Sequence, residues 1–472
     1  MSLDEANATG QIPVTVRERV LGPTYRWISI GMCTLVFLAA FESMAVTAVM
    51  PAVAADLDGQ ALYALAFAGP LAVSVIGMIV AGNAADRGGP RLALYTSVAL
   101  FVVGLLIAGT ATDMWQLVIG RLVHGLGGGG LTVALYVIVA RVIPAALQPS
   151  LFAGFAAAWV VPSLVGPFIS GVVADSVGWE WVFLGVVGLV VPALAMVVPS
   201  LRRMNMDAAE QRPPWRISRI AWATLAGVAV LVLNLSTEAT GWAGWLLPLA
   251  AVVVIAVAVR PMVPRGTLRA ARGLPATVLT RATLSGSFFG AQVYLPLLLT
   301  GEPYVLSTAM AGLVLTLSGV AWAIASQVQG RNAERLSHEA CLRIGLSLLG
   351  AAIAGSLLAT VLGLPPYVFM ITWAFAGAGM GIMYPRTTVM GLQSSSLENQ
   401  GFISSAMTVA DALGAAVTIA LSAIVFAMLL PLGAVTAVAG GITVALAVWA
   451  VGLFTGLRAH VEAPEAAAVE ID

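Results

Sequence analysis

The stretch Trp115–Val133, WQLVIGRLVHGLGGGGLTV, is an apolar run long enough to cross a bilayer, and it contains one arginine, Arg121. A membrane-spanning helix needs about 20 mostly apolar residues. Placing a guanidinium in hydrocarbon costs at least about 2.5 kcal/mol on insertion scales. Arg121 is therefore expected to face a protein interior or a wet cavity, and to have a partner there.

The composition is that of an integral membrane protein. The chain has 472 residues, of which 60% are hydrophobic and 9% are charged, whereas a soluble domain has about 25% charged residues. The net charge is zero, so nucleic acid is not an expected partner. There is no lysine, which argues against a Walker-type ATP pump and a lysine-dependent enzyme. Two cysteines and three scattered histidines predict neither a disulfide framework nor a metal site, and no cofactor is expected.

Fourteen apolar runs are candidate spans: Trp27–Met50, Leu62–Gly82, Leu92–Gly109, Trp115–Ala140, Leu151–Ala174, Trp181–Pro199, Ile220–Ser236, Trp242–Val259, Ala282–Thr300, Thr308–Val328, Leu342–Leu362, Tyr367–Val389, Phe402–Leu429 and Leu432–Leu457. They predict a cytoplasmic segment 1–26, a six-span bundle 27–200, linkers with a central hairpin 201–281, a second six-span bundle 282–457 and a cytoplasmic tail 458–472. The polar N-terminal segment does not resemble a cleavable signal peptide.

The charge distribution supports this topology. With both termini in the cytoplasm, every arginine except Arg121 falls at or near the cytoplasmic side. The external loops then contain only acids: Asp56, Asp58, Asp113, Asp175, Glu180, Glu238 and Glu302. This is the positive-inside pattern of a cell (inner or plasma) membrane protein. A twelve-span chain without the central hairpin keeps the same parity and remains an alternative.

An internal repeat divides the chain. The pattern G-x-x-A-[DE]-R begins at Gly82, after the second span, and again at Gly330, 248 positions later. His124-Gly125-Leu-Gly127 in the fourth span similarly matches Ala376-Gly377-Ala-Gly379 in the twelfth. Two parallel six-helix halves separated by an inserted hairpin explain both matches.

The turn after the second span has the order G-x-x-x-D-R-x-G-x-R, with Asp86, Arg87 and Arg91 as its charged residues. It resembles the cytoplasmic motif of the major facilitator superfamily, and the chain is similar to the fourteen-helix drug:proton antiporters within it. The resemblance implies an all-α membrane fold of two pseudosymmetric six-helix bundles. An acid and two arginines can pin helix ends in one state and release them in another. A plain positive-inside turn is the alternative.

The fourth span is similar to the family pattern R-x-x-Q-G-x-G, whose arginine is tied to proton coupling. Here Arg121 supplies the arginine, and His124 stands where the glutamine is usual. The resemblance implies a coupling role for Arg121 and a cavity position for His124. A structural tie between helices is the alternative for Arg121, and a buried neutral imidazole is the alternative for His124.

The fifth span resembles the antiporter signature that ends G-P-x-x-x-G, here Gly166, Pro167 and Gly171. Together with Gly154 and Pro162, these residues leave one helix face poor in side chains. Such a face lets a second helix approach closely and slide, and the prolines bend it. The resemblance implies export rather than import, and ordinary Gly/Pro packing is the alternative.

An acid in the first span is expected to compensate Arg121. Glu42 lies nine residues before Pro51, or about 13 Å inward from the outer face. Arg121 lies eight residues after Asp113, or about 12 Å inward. Opposite charges at matched depth in the same half predict a pair, in which protonation of Glu42 would release Arg121.

The second half has its own candidates. Asp411 lies on a polar helical face with Ser404 and Thr408, and Gln292 and Tyr294 lie in the ninth span. We expect Glu42, Arg121 and Asp411 to serve proton coupling, and Glu42, His124, Gln292, Tyr294 and Asp411 to line a substrate cavity. Helix–helix contacts are an alternative for the ninth-span residues. Arg386 is expected to be a topogenic charge.

These features predict a secondary transporter rather than an enzyme. It would export lipophilic drugs or toxic compounds, including cations, in exchange for protons by alternating access. Its expected partners are the substrate, protons and the bilayer, with no obligate protein partner. An exporter of a lipid or an endogenous metabolite is one alternative. A non-transporting sensor or scaffold is another, but it has no use for three buried charges.

Overall fold

A computed structural model describes residues 20–144, 147–203, 214–238, 242–332, 335–395 and 399–460. Every regular element in these ranges is a helix. The cytoplasmic-segment residues 1–19, the linker residue Arg212, the repeat residue Glu334 and the tail beyond 460 lie outside the described residues.

The long helices form fourteen spans by length and composition, which confirms the expected number. In order, their helices are Arg26–Asp56, Leu65–Gly88, Pro90–Gly109, Met114–Val142, Gln148–Val177, Glu180–Arg203, Ile217–Leu235, Ala243–Ala258, Leu274–Gln292 with Tyr294–Thr300, Thr308–Arg331, His338–Leu362, Pro366–Gln393, Gln400–Leu429 and Ala434–Gly456. Short 3-10 turns are Gln60–Leu62, Ser236–Glu238, Arg260–Met262, Thr267–Arg269 and Leu430–Leu432.

Local sequence explains several helix starts. Asp113 caps the fourth span by accepting a hydrogen bond from Gln116 N at 2.9 Å, and Ser307 and Ser337 cap the tenth and eleventh spans in the same way. These side chains satisfy amides that the first helical turn leaves unpaired. The third span begins at Pro90, where a missing amide has no cost.

The ninth span differs from the expectation. Its helix begins at Leu274 rather than Ala282, and Pro275 occupies the first turn, a position that favours proline. Arg281 therefore lies inside the span and is only 6% exposed. The prediction that Arg281 lies in the cytoplasmic linker was wrong. The many arginines just before Leu274 made the first turns of this helix resemble a linker in the sequence. The span breaks at Val293 into a second helix.

Successive spans end at two opposite faces. The arginine-rich face carries Arg87, Arg91, Arg141, Arg331 and Arg343, and the acidic face carries Asp56, Asp113, Asp175, Glu180 and Glu302. The first six spans form the first half, and the ninth to fourteenth spans form the second half. One buried apolar core lies mainly in the first half and extends into the thirteenth span, and a second lies almost entirely in the second half.

Glycines repeat the same packing in both halves. A side chain at Gly125 of the fourth span would meet the backbone of Pro70 in the second span, and one at Gly377 of the twelfth would meet the backbone of Ser318 in the tenth. Gly129 similarly meets Ser74 of the second span. These contacts require glycine because the helix backbones touch. They confirm the internal repeat that the sequence predicted.

The central hairpin packs on one side of this pair of bundles. The seventh span lies against the second and thirteenth spans. Gly227 approaches the carbonyl oxygen of Ala72, and Asn83 Oδ1 accepts a hydrogen bond from Arg216 N at 3.0 Å. The eighth span is mostly exposed and includes Trp245. The hairpin therefore covers the seam between the second and thirteenth spans.

The halves are joined near the acidic face. Tyr63 donates a hydrogen bond from its hydroxyl to Val293 O at 2.8 Å, at the break in the ninth span. Asp175 Oδ2 accepts one from Ala309 N at 3.1 Å, at the start of the tenth span. Gly171 brings the fifth span onto the backbone of Ala309. The conformation is thus closed at the acidic face.

Candidate functional site: two buried acid–arginine pairs

The first span and the fourth span bring Glu42 and Arg121 into direct contact. Arg121 Nη1 forms an ion pair with Glu42 Oε1, and the side chains are 7% and 3% exposed. Arg121 Nε also donates to Ala66 O at 3.3 Å. Matched depth in the sequence had predicted this pair. A buried charge without a partner is strongly unfavourable, so each residue makes the other tolerable.

His124 completes the cluster one helical turn after Arg121. Its Nε2 lies 3.3 Å from Glu42 Oε2, and its Nδ1 lies 3.4 Å from Arg121 Nη1. The ring packs on Phe101 with centroids 4.5 Å apart. Gly104 lets the third span approach the His124 backbone. The cluster thus contains two titratable groups and one fixed cation, sealed within the first half.

The second pair, Arg281 and Asp411, was not anticipated. Arg281 Nε donates to both oxygens of Asp411, at 2.8 and 2.9 Å. Ser285 Oγ donates to Oδ1 at 2.6 Å, and the Tyr384 hydroxyl donates to Oδ2 at 2.8 Å. The Asp411 carboxylate therefore has two donors on each oxygen. These contacts link the ninth, twelfth and thirteenth spans.

Arg281 is held from several directions. Its Nη1 donates to Tyr384 O at 2.9 Å, Thr387 Oγ1 at 2.9 Å and Thr388 Oγ1 at 2.7 Å. Its guanidinium lies 3.3 Å from the centroid of the Tyr384 ring, in a cation–π arrangement. The signal in sequence was Asp411 itself, because an acid at membrane depth needs a nearby cation.

Gln292 and Tyr294 occupy separate places. Gln292 is buried, and its Oε1 accepts a hydrogen bond from Trp373 Nε1 at 3.3 Å. Tyr294 is 1% exposed and stacks on Phe426 with centroids 5.4 Å apart. It belongs to the core of the second half. The structure therefore does not bring Tyr294 together with Glu42 or Asp411.

The charged side chains of the turn after the second span contact several different elements. Asp86 lies 4.0 Å from Arg141 Nη2, and its side chain is 60% exposed. The guanidinium of Arg87 lies 5.4 Å from the Trp215 ring. Arg91 Nη2 donates to Leu201 O at 2.6 Å. The turn thus connects the second span to the fourth span, the sixth span and the approach to the hairpin.

The small-residue face of the fifth span is a packing surface. Gly154 faces Cys33, and Gly166 faces Phe41, both in the first span. Two contacts reach the tenth span in the other half: Pro167 O faces Gly312, and Gly171 faces Ala309. Pro162 lies buried on the same face. The expected close approach of another helix is present, and it crosses between the halves.

Arg386 is also more than a charge at a helix end. It is 7% exposed inside the twelfth span. With its amide in the orientation that satisfies both groups, Gln329 of the tenth span accepts a hydrogen bond from Arg386 Nη2 at 2.9 Å. The residue thus ties two spans of the second half, which corrects the purely topogenic interpretation.

Comparison with known proteins decides the family. A model of the Major Facilitator Superfamily matches residues 32–419. The chain belongs to the major facilitator superfamily. It is 24% identical over 390 residues to the multidrug transporter protein MdtP of Bacillus subtilis, covering 79% of this chain and 70% of that protein. The major facilitator arrangement accounts for the two halves and for their repeated glycine contacts.

Other relatives agree on transport. The Acurin A biosynthesis cluster MFS-type transporter of Aspergillus aculeatus is 28% identical over 228 residues, which cover 46% of this chain and 40% of that protein. Among solved structures, a D-xylose–proton symporter superposes with a TM-score of 0.65 at 14% identity, covering 93% of this chain and 98% of that one. At that identity the likeness shows the fold alone. The chain is a multi-pass membrane transporter, and its relatives include a protein named efflux pump FUS6 in Gibberella moniliformis, 27% identical over 228 residues that cover 46% of this chain and 39% of that protein.

Proposed function

We propose that this major facilitator exports a lipophilic compound in exchange for protons. The observation that carries the proposal is the sealed cluster of Glu42, Arg121 and His124. Uphill transport needs a group that takes a proton on one side of the membrane and loses it on the other. Within the described spans, Glu42 has one ion-pair contact with Arg121 and a close contact with His124, whereas the Asp411 carboxylate accepts four hydrogen bonds, two of them from Arg281.

The proposed cycle follows from charge balance. Protonation of Glu42 removes the partner of Arg121 and leaves an uncompensated cation, which changes the preferred arrangement of the first and fourth spans. Return of the proton restores the pair. The contacts of the fifth span with the tenth span, and of Tyr63 with Val293, are the ones that must part when the acidic face opens.

The orientation belongs to the same proposal. The arginine-rich face would lie in the cytoplasm of a cell membrane, with both termini on that side. Protons would enter Glu42 from the acidic face, and substrate would enter from the arginine-rich face. The turn at Asp86 and the small-residue face of the fifth span would serve the rearrangement between states. Lipid, protons and one small lipophilic molecule suffice as partners.

Export of an endogenous metabolite or a lipid is the second candidate. It is favoured by the relative from a biosynthesis cluster. It uses the same coupling cluster and differs in cargo. Any measurable movement of substrate across the membrane would exclude a non-transporting sensor.

The test uses purified protein in liposomes with an imposed pH gradient and a panel of fluorescent lipophilic dyes. The wild-type protein should concentrate a dye against its gradient. Glu42→Gln should keep its fold and its dye binding, because the glutamine oxygen can still accept a hydrogen bond from Arg121. It should lose uphill transport, because the variant has no proton to exchange at this position. Asp411→Asn should change the range of dyes more than the coupling. Uphill transport by Glu42→Gln, together with its loss in Asp411→Asn, would move the coupling site to the second half.

A further inference from the structure

In the second half, the Arg281–Asp411 pair lies beside a wall of aromatic side chains. The partly exposed surface that the pair and the wall form together is here called the cleft. On its polar side, Ser404, Thr408 and Asp411 share one face of the thirteenth span, and each is at least partly exposed. Asp411 retains 19% exposure of its side chain. Polar residues at membrane depth face a protein interior or a wet cavity rather than lipid. This strip therefore faces the protein rather than lipid, and it runs from the first turns of the helix, which begins at Gln400, to Asp411.

The other side of the cleft is aromatic. Tyr384 packs edge-on against Trp322, with centroids 5.5 Å apart. Trp322 packs in the same way on Phe288 at 5.5 Å, and Phe288 on Phe289 at 5.2 Å. Trp322, Tyr384 and Phe289 are all partly exposed, and Phe289 packs against both of the buried apolar cores. Because Tyr384 donates to Asp411, this wall lies beside the carboxylate.

Electrostatics decide what this wall can accept. A carboxylate beside aromatic rings would attract a planar cation through charge and cation–π contacts. Here the carboxylate already has its cation, because Arg281 bonds both oxygens and lies over the Tyr384 ring. An incoming cation would meet a net-neutral pair with a guanidinium at the same ring. It would lose its hydration without gaining a free counter-charge.

We propose that this cleft binds an uncharged planar aromatic compound, and that Arg281 sets this selectivity by neutralising Asp411. The proposal rests on the proposed export function for its physiological meaning, and it deepens that function by naming the substrate class. The sequence analysis had allowed a cationic substrate, and this proposal replaces it with an uncharged one. Arg281 acts through Asp411, so it determines specificity without being required to touch the ligand.

The experiment compares two probes with the same ring system: phenanthridine, which is uncharged at neutral pH, and ethidium, a phenanthridinium cation. Binding to purified protein is followed by quenching of tryptophan fluorescence. The wild type should bind phenanthridine at least about tenfold more tightly than ethidium, a difference of about 1.4 kcal/mol. Arg281→Gln should tighten ethidium by about tenfold or more, while phenanthridine stays within about threefold.

Three variants separate charge selectivity from a general structural effect. Arg281→Lys keeps a cation and should keep the preference for phenanthridine. The double variant Arg281→Gln with Asp411→Asn removes both charges and should bind ethidium within about threefold of the wild type, a comparison that remains available if the single Arg281→Gln protein does not fold. Trp322→Ala should weaken both probes, whereas Trp245→Ala, at a position 71% exposed on the eighth span, should weaken neither.

The proposal is overturned if the wild type shows no saturable phenanthridine binding or binds ethidium equally well. It is also overturned if the double variant and Arg281→Gln bind ethidium alike. These are binding measurements without a pH gradient. A charge-selective cleft in a protein that does not transport would therefore leave this inference standing and remove the proposed function alone.

Discussion

The two halves place different chemistry at the same position. Glu42 of the first span pairs with Arg121 of the fourth. In the second half, Gln292 of the ninth span pairs with Trp373 of the twelfth. Trp373 lies 252 positions after Arg121, the same spacing that relates Gly125 to Gly377. One repeat thus holds a charged, titratable pair, and the other holds a neutral hydrogen bond between the equivalent spans.

This difference shows how a duplicated fold can divide its tasks. A proton changes the charge of the Glu42 pair, but it has nothing to titrate at Gln292 or Trp373. The second half places its ion pair elsewhere, between Arg281 and Asp411, and surrounds that carboxylate with donors. The first half is therefore suited to switching, and the second half to a fixed binding surface.

The comparison of the two halves requires that they have the same orientation in the membrane. Single cysteines are placed in a background with Cys33→Ala and Cys341→Ala. Asp58 and Glu302 lie in the corresponding first loops of the two halves, and Gly88 and Arg331 lie at the corresponding second turns. Asp58→Cys and Glu302→Cys should react with an impermeant thiol reagent added to intact cells, and the other two should not. The expected effect is all-or-none. Labelling at Arg331 without labelling at Glu302 would refute the parallel repeat.

Removing one member of the charged pair should be the most damaging point change. Arg121→Met leaves Glu42 buried without its cation, which costs about 3–5 kcal/mol of unfolding free energy and should abolish coupled transport. Adding Glu42→Gln to Arg121→Met should recover a large part of the stability but none of the coupling. Denaturation in detergent measures the stability of the two variants, and pH-driven dye uptake into liposomes measures their coupling. Equal stability of Arg121→Met and wild type would mean that the pair is not formed.

The equivalent change in the second half should be milder. Trp373→Phe keeps an aromatic ring against Phe288, but it removes the donor to Gln292 and part of a fully buried indole. The loss should be about 2–3 kcal/mol, because one buried neutral hydrogen bond is broken and a small cavity is left. Coupling in liposomes should persist. Loss of pH-driven transport in Trp373→Phe, at unchanged expression, would show that coupling extends into the second half.

The smallest effect is expected at the turn after the second span. Asp86 is exposed and 4.0 Å from Arg141, so Asp86→Asn should change stability by less than about 1 kcal/mol. Dye binding should be normal, but transport should slow, because an anion that can pin helix ends is missing. Transport at the wild-type rate would reduce this turn to a topogenic feature.

The sequence by itself determined the spans, the repeat and the first pair. Hydropathy fixes the spans because backbone groups in a bilayer must be paired within a helix. The partner of Arg121 followed from depth, since both Glu42 and Arg121 can be counted from the same face. The glycines of the fourth and twelfth spans marked the repeat because only small residues permit backbone contact.

The tertiary structure alone decided the second pair and the side chains that surround it. Arg281 and Asp411 are 130 residues apart, and the arginine lies in a segment whose charges suggested a linker. Depth counting failed there because the start of the ninth helix was misplaced. The donors from Ser285 and Tyr384, and the wall of Trp322 and Phe289, come from three different spans. This convergence depends on the rotation and the crossing angles of the helices. Side-chain packing sets these angles, and hydropathy contains no information about them.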